Sequence, residues 1–252
     1  MLRLLLLLGL CCLSTRGFVA VGRGPRSSMH RRATRMQACE PAKAKRVLVV
    51  GGTGRVGGST VRALKALGLE GKQGLPPLAV SVGGRSPENF EKAKARWAAL
   101  GAKQGLGEGA FENVEFVQLD HEDPAALVEA LRAAKPDLIL HTAGPFQRRK
   151  AAEVLSAALH LKTPYVDVCD DIDLSQVAKG YHEEARNAGV PMLISTGVWP
   201  GISSLMAVDV AEALGGPKET DSIDFQFYTA GSGGAGTTIL RSVRGREKAS
   251  MG

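Results

Sequence analysis

One stretch limits the possible folds more than any other: VLVVGGTGRVGGSTVRAL, residues 47–64. RVLVV (46–50) is a continuous apolar, β-branched run, the pattern of a strand buried on both faces. Ser59 to Leu67 carries Val61, Leu64 and Leu67 at helical spacing. Between them Gly52, Gly54 and Gly57 fall in a G-x-G-x-x-G spacing, and Gly51 permits the looser G-x-x-G-x-x-G frame. A strand, a glycine turn and a helix start in that order suit one task. One glycine can take positive φ, another lets a phosphate approach the backbone, and the last lets helix and strand pack closely. The helix start then offers free N–H groups and a partial positive charge to a pyrophosphate. Gly52, Thr53, Gly54, Arg55, Val56 and Gly57 are therefore the expected dinucleotide contacts, with a merely structural glycine turn as the alternative.

The next strand decides which dinucleotide. In an NAD site an acid after the second strand accepts hydrogen bonds from the ribose 2′-OH, and that acid would repel a 2′-phosphate. LAVSVGGRSPE (78–88) has no acid before Glu88, and none occurs between Gly71 and Pro87. Arg85 and Ser86 occupy the position instead. Arg85 can pair with a phosphate in a forked geometry and lay its plane on adenine, and Ser86 can donate one more hydrogen bond. The expected cofactor is NADP(H). The alternative for Arg85 is a solvated loop charge.

From Lys45 onward strands and helices alternate, as in a parallel sheet covered on both faces. Strands are expected at 46–50, from Leu78, and at 114–120, 137–143, 164–169 and 191–196. Helices are expected over 59–67, 87–100, 124–134, about 148–161, 174–188 and 202–214. This is the doubly wound α/β, Rossmann-type pattern, with ligands at the carboxyl ends of the strands. Asp120 ends the third strand near the expected adenine, or else caps the helix beginning around Pro124. HTAGPFQ (141–147) ends the fourth strand; Ala143, Gly144, Pro145 and Phe146 would line the cofactor between pyrophosphate and nicotinamide. SIDFQFYTA (222–230) alternates like a strand of another sheet, followed by GSGGAGTT (231–238), a linker or a carboxylate cradle.

VVGGTGRVGG, GGRS, HTAGPF, YVDVCDD and GVWPGISS, in that order, resemble the NADP-binding half of saccharopine dehydrogenase-like oxidoreductases. The resemblance covers roughly Arg46 to Gly236. It implies a Rossmann domain followed by an α/β substrate domain, and reversible hydride transfer, at a C–N bond in the name-giving enzymes. The domain reading is a signal over 1–17, a leader over 18–44, a Rossmann domain over 45–215 and the start of a substrate domain over 216–252, ending early. The function expected is NADP-dependent oxidoreduction of a small, possibly amino-acid-derived substrate. Asp167, Asp170 and Asp171 in YVDVCDD are the candidate catalytic carboxylates, beside Tyr165 and Cys169. A carboxylate there could relay the amine proton; Asp170, Asp171 and Asp173 equally suit helix caps, and Cys169 a small buried residue. Ser203, after Pro200 and Gly201, reads as a cap or an anion contact. A short-chain reductase would need Lys four residues after a catalytic Tyr. Cys169, Ala185 and Ser232 stand there after Tyr165, Tyr181 and Tyr228 instead. A non-catalytic NADP(H)-binding redox sensor or assembly factor is the alternative from another class.

Charge and cysteine usage bound the partners. The net charge of +7 resides in residues 1–45, which hold nine Lys/Arg against Glu40. The body is near neutral, so nucleic acid is not an expected partner. MLR followed by an apolar run to Leu13, with Thr15 and Gly17 before a possible cut, reads as a secretory signal, too short for a mature membrane span. The acid-poor, Arg- and Ser-rich segment after it reads as a transit peptide. Together they resemble the two-part leader of plastid proteins in algae with secondary plastids; secretion is the alternative. Cys11, Cys12 and Cys39 fall in the leader, which leaves Cys169 in the body and no disulfide framework. No metal is expected, since the histidines lack ligand spacing.

Overall fold

The computed structural model describes residues 44–69, 76–147 and 149–226. Six parallel strands, β1 (Lys45–Val50), β2 (Leu78–Gly84), β3 (Glu115–Gln118), β4 (Leu138–His141), β5 (Tyr165–Asp167) and β6 (Met192–Leu193), form one sheet in the order β3-β2-β1-β4-β5-β6. Seven α-helices join them: α1 (Arg55–Leu69), α2 (Pro87–Ala102), α3 (Pro124–Ala134), α4 (Glu153–His160), α5 (Ile172–Lys179), α6 (His182–Ala188) and α7 (Ile202–Ala213). The strand order reverses between β1 and β4, which opens a crevice at their carboxyl ends. The fold is the expected doubly wound Rossmann type.

The apolar run of β1 explains the two layers. Val47 and Val49 face one core with Val61, Leu64, Val82, Phe90 and Trp97. Leu48 and Val50 face the other with Leu127, Leu131, Ile139 and Leu155. A strand covered on both faces has no solvent side, so its sequence cannot alternate with polar residues.

Several boundaries move, each for a tertiary reason. Helix α1 starts at Arg55 rather than Ser59, because Gly57 and Gly58, poor helix formers, are held by close packing on Gly52, Thr142 and Trp97. The expected helix 148–161 shortens to α4. Arg149 ties the preceding chain to Glu122 at 3.6 Å and to Glu153 at 3.3 Å. The expected helix 174–188 divides at Gly180 into α5 and α6. Strand β6 keeps only two residues because the Ser195 N–H turns to the Asp167 carboxylate at 2.7 Å, with Ser195 at φ +58°. Residues 221–226 form no strand, and 1–43 and 227–252, including the leader and 231–238, lie outside the described residues.

Candidate coenzyme site

The glycine turn is built around Gly51, whose φ is +79°. That value favours the G-x-x-G-x-x-G frame, since Gly51 rather than Gly52 makes the left-handed turn. A β-carbon on Gly51 would stand 2.6 Å from the Ala143 Cα, so the turn abuts the loop after β4. Thr142, adjacent in that loop, donates from Oγ1 to the Val50 carbonyl at 2.8 Å. The two loops therefore form one continuous rim at the reversal point, with Ala143 against Gly51 and Thr142 against Gly57.

The fit to a dinucleotide can be tested on the backbone. Gly54 has only the Gly51 carbonyl oxygen, at 3.1 Å, within 4 Å of where its β-carbon would be, so its outer face is bare. The first bond of α1 runs from the Gly58 N–H to the Gly54 carbonyl at 2.9 Å. The N–H groups of Arg55, Val56 and Gly57 then have no partner inside the helix. No acid lies in the first turn of α1. Bare backbone, free donors and the positive end of a helix suit a pyrophosphate.

At the end of β2, Arg85 is exposed. Ser86 is the N-cap of α2: its Oγ accepts from the Asn89 N–H at 3.1 Å and donates to Glu88 Oε2 at 2.6 Å. The donor that Ser86 was expected to offer is thus already engaged. Sequence reasoning missed Arg96, whose Nη2 donates to the Thr53 carbonyl at 2.7 Å. Nothing in the spacing marks it, because the contact spans 43 residues. Asp120 accepts from the Glu122 N–H at 3.0 Å, and the cap of α3 is Asp123, not Asp120.

Beyond β4 and β5 the side chains turn inward. Phe146 is buried with Cys169 and Leu174, so its ring leaves the rim. The Gly144–Pro145 peptide is cis. His141, at the end of β4, lies 3.0 Å by Nδ1 from the Tyr165 hydroxyl, which donates to Asp167 Oδ2 at 3.0 Å. The other oxygen of Asp167 accepts from the Cys169 and Ser195 N–H groups at 3.0 and 2.7 Å. Burial raises the Asp167 carboxyl above its ordinary range, against those hydrogen bonds. Burial, then the neighbouring Asp167, pushes the Tyr165 hydroxyl well up. Burial pushes His141 down to about 3, helped by charge on His121 and Arg149 and opposed by the Ala143 carbonyl. With the tyrosine proton given to the carboxylate, Nδ1 carries the proton of a neutral imidazole. Its Nε2 then has no hydrogen-bond partner among the described residues.

The candidate carboxylates separate accordingly. Asp167 is 4% exposed and ties β5 to the turn after β6. Asp171 caps α5 through the Leu174 N–H at 2.9 Å. Asp170 is exposed and accepts from Gln147 Nε2 at 2.8 Å. Cys169 is buried, and burial raises its thiol pKa. Ser203 is no cap: Gly201, at φ +132°, precedes α7 without a side-chain cap, and the Ser203 Oγ is buried without a partner. No group of three or more His, Cys, Asp and Glu side chains among the described residues converges as a metal site would. A cavity of about 600 Å³ lies between α4, α5, α6 and β6, lined by Leu155, Tyr181, Val190 and Met192 among others, away from the glycine turn.

The family described as saccharopine dehydrogenase NADP binding domain matches residues 47–193, more than half of the chain. No curated protein matches. Similar solved structures include "AtPrR2 in apo form", at 19% identity and TM-score 0.39 over 60% of this chain and 48% of that one. "AtPrR2 with NADP+ and (+)pinoresinol" aligns at 16% identity and TM-score 0.37, over 61% of this chain and 49% of that one. The terminal R domain from the myxalamid PKS-NRPS biosynthetic pathway aligns at 18% identity and TM-score 0.42, over 62% and 49%. The chain spans about half the length of each of them.

Proposed function

Because the chain belongs to the saccharopine dehydrogenase NADP-binding domain family, we infer that it is the coenzyme-holding part of an NADP-dependent oxidoreductase. The observation that carries this reading is the rim made by Gly51, Gly54 and Ala143 at the start of α1. Gly52, Thr53, Gly54, Arg55, Val56 and Gly57 would hold the pyrophosphate, Arg85 the adenosine 2′-phosphate, and Ala143, Gly144 and Pro145 the nicotinamide side. The bound coenzyme supplies or accepts the hydride. The substrate class we propose is a small amine or its imine, interconverted at a C–N bond. Calorimetry of the full chain with NADPH, followed by NADPH consumption with a keto acid and an amine, tests both halves. Absence of NADPH binding would remove the first, and binding without turnover on a broad panel the second.

One observation favours a second reading. Asp167 and Asp171 are committed to holding the backbone, which leaves exposed Asp170, bonded to Gln147, as the one candidate carboxylate able to exchange a proton with a substrate. A protein that binds NADP(H) as a sensor, without turnover, needs no such group. The leader composition further supports delivery to a plastid; a fluorescent fusion carrying residues 1–44 that is secreted instead would refute it.

A further inference from the structure

We propose that Arg96 is the second arm of a two-arginine clamp on the 2′-phosphate of NADP(H), a role that rests on the coenzyme reading above. A phosphate monoester at the end of β2 brings close to two negative charges and needs donors there. The start of α2 is the obvious supplier, and its first groups are taken. Pro87 has no N–H, the Asn89 N–H is bonded to Ser86 Oγ at 3.1 Å, and the Phe90 N–H reaches the Ser86 carbonyl at 3.2 Å. The Ser86 hydroxyl proton is given to Glu88.

Glu88 makes the deficit worse. Its carboxyl is held below the ordinary range, first by the Ser86 hydroxyl, then by its own backbone N–H and the Lys92 charge, so it stays anionic at the start of α2. A phosphate bound there gains from a second cation beside Arg85.

Arg96 stands where that cation is needed. Its Nη2 donates to the Thr53 carbonyl at 2.7 Å, and the side chain is otherwise exposed. Thr53 Oγ1 in turn lies 4.0 Å from where a β-carbon on Gly84 would stand, and Arg85 follows Gly84. Gly84, the residue before Arg85, and Arg96 from the helix therefore border the same residue of the glycine turn. Neither forms an ion pair with another described residue. A guanidinium carries five N–H donors, so the bond to Thr53 leaves an edge of Arg96 for a phosphate. The same bond orients that edge before the coenzyme arrives.

The test is calorimetry with NADPH and NADH on the full chain, as wild type and as Arg96→Ala, Arg96→Lys and Arg85→Ala, with thermal melts to verify folding. Arg96→Ala should weaken NADPH about 10- to 100-fold, the scale of a charged hydrogen bond. NADH should change by less than about threefold, since it lacks the charged group. Arg96→Lys should recover part of the loss, because it keeps the charge and loses the fork. Equal losses for both coenzymes would reduce Arg96 to a brace for the turn and overturn the proposal, as would no loss for either. If Arg85→Ala loses NADPH selectively and Arg96→Ala does not, the coenzyme reading survives and the clamp falls. Wild-type protein that binds neither coenzyme would instead remove the coenzyme reading itself.

Discussion

Gly57 packs so closely on Gly51 that a β-carbon on Gly57 would collide with the Gly51 carbonyl oxygen. It would also stand 2.6 Å from the Gly52 Cα and from Thr142 Oγ1. The backbone of Gly51 and Gly52 cannot move aside as a flexible side chain would. Gly57→Ala should cost about 1–3 kcal/mol of stability, the range for overpacking, and abolish NADPH binding by opening the turn. Gly68, also in α1, has nothing within 4 Å of its β-carbon position. Gly68→Ala should stabilise by about 0.5–1 kcal/mol through the unfolded chain. Urea melts of the two variants check this; similar behaviour in both would contradict it.

Arg85→Ala should weaken NADPH binding by about 1.5–3 kcal/mol and leave NADH nearly unchanged. The side chain is exposed, so its loss leaves the core intact. Equal loss for both coenzymes would mean that Arg85 does not read the extra phosphate.

Stability should fall in mild acid because of His141. The unfolded chain takes up a proton at this histidine near its ordinary value of 6.5, whereas the folded chain resists it down to about 3. The stability it contributes is intact above pH 6.5 and is lost as pH falls toward 3. Between pH 7.5 and 5 the loss should be about 2 kcal/mol. Burial depresses His121 as well, which adds in the same direction. Asp167, whose raised pKa favours the fold at low pH, offsets part of this as pH falls through its raised pKa toward the ordinary value of 3.8. Urea melts across that window, compared with a His141→Gln variant, measure the effect. An equal slope in the variant would assign the acid sensitivity elsewhere.

Asp171→Ala should lower stability by about 1 kcal/mol, the worth of an N-cap, while NADPH affinity stays unchanged. Its carboxylate accepts from the Leu174 N–H at the start of α5. A variant of unchanged stability whose turnover is lost would restore Asp171 as a catalytic candidate.

The legible parts of this protein were those written in neighbouring residues. The apolar run of β1, the glycine turn and the first helix follow one another in sequence, so their roles can be read directly. The candidate carboxylates were legible as a cluster but not as individuals. Asp167, Asp170 and Asp171 look alike in YVDVCDD, yet one is buried under Tyr165, one binds Gln147 and one caps a helix. Their different neighbours come from other segments. Ser86 misled for a local reason: Glu88, two residues on, takes its proton.

Sequence alone determined the alternation of strands and helices, and the backbone freedom of the turn, because both depend on side-chain size and polarity within a few residues. It also determined that Arg85 rather than an acid follows the second strand. Tertiary structure decided that Gly51 bears the positive φ, since the Ala143 backbone leaves no room there for a β-carbon. It likewise buried His141 with Tyr165 and Asp167, which meet across adjacent strands. It brought Arg96 back to Thr53. Such contacts join residues far apart in the chain, and only the closed sheet with its helices sets their distances.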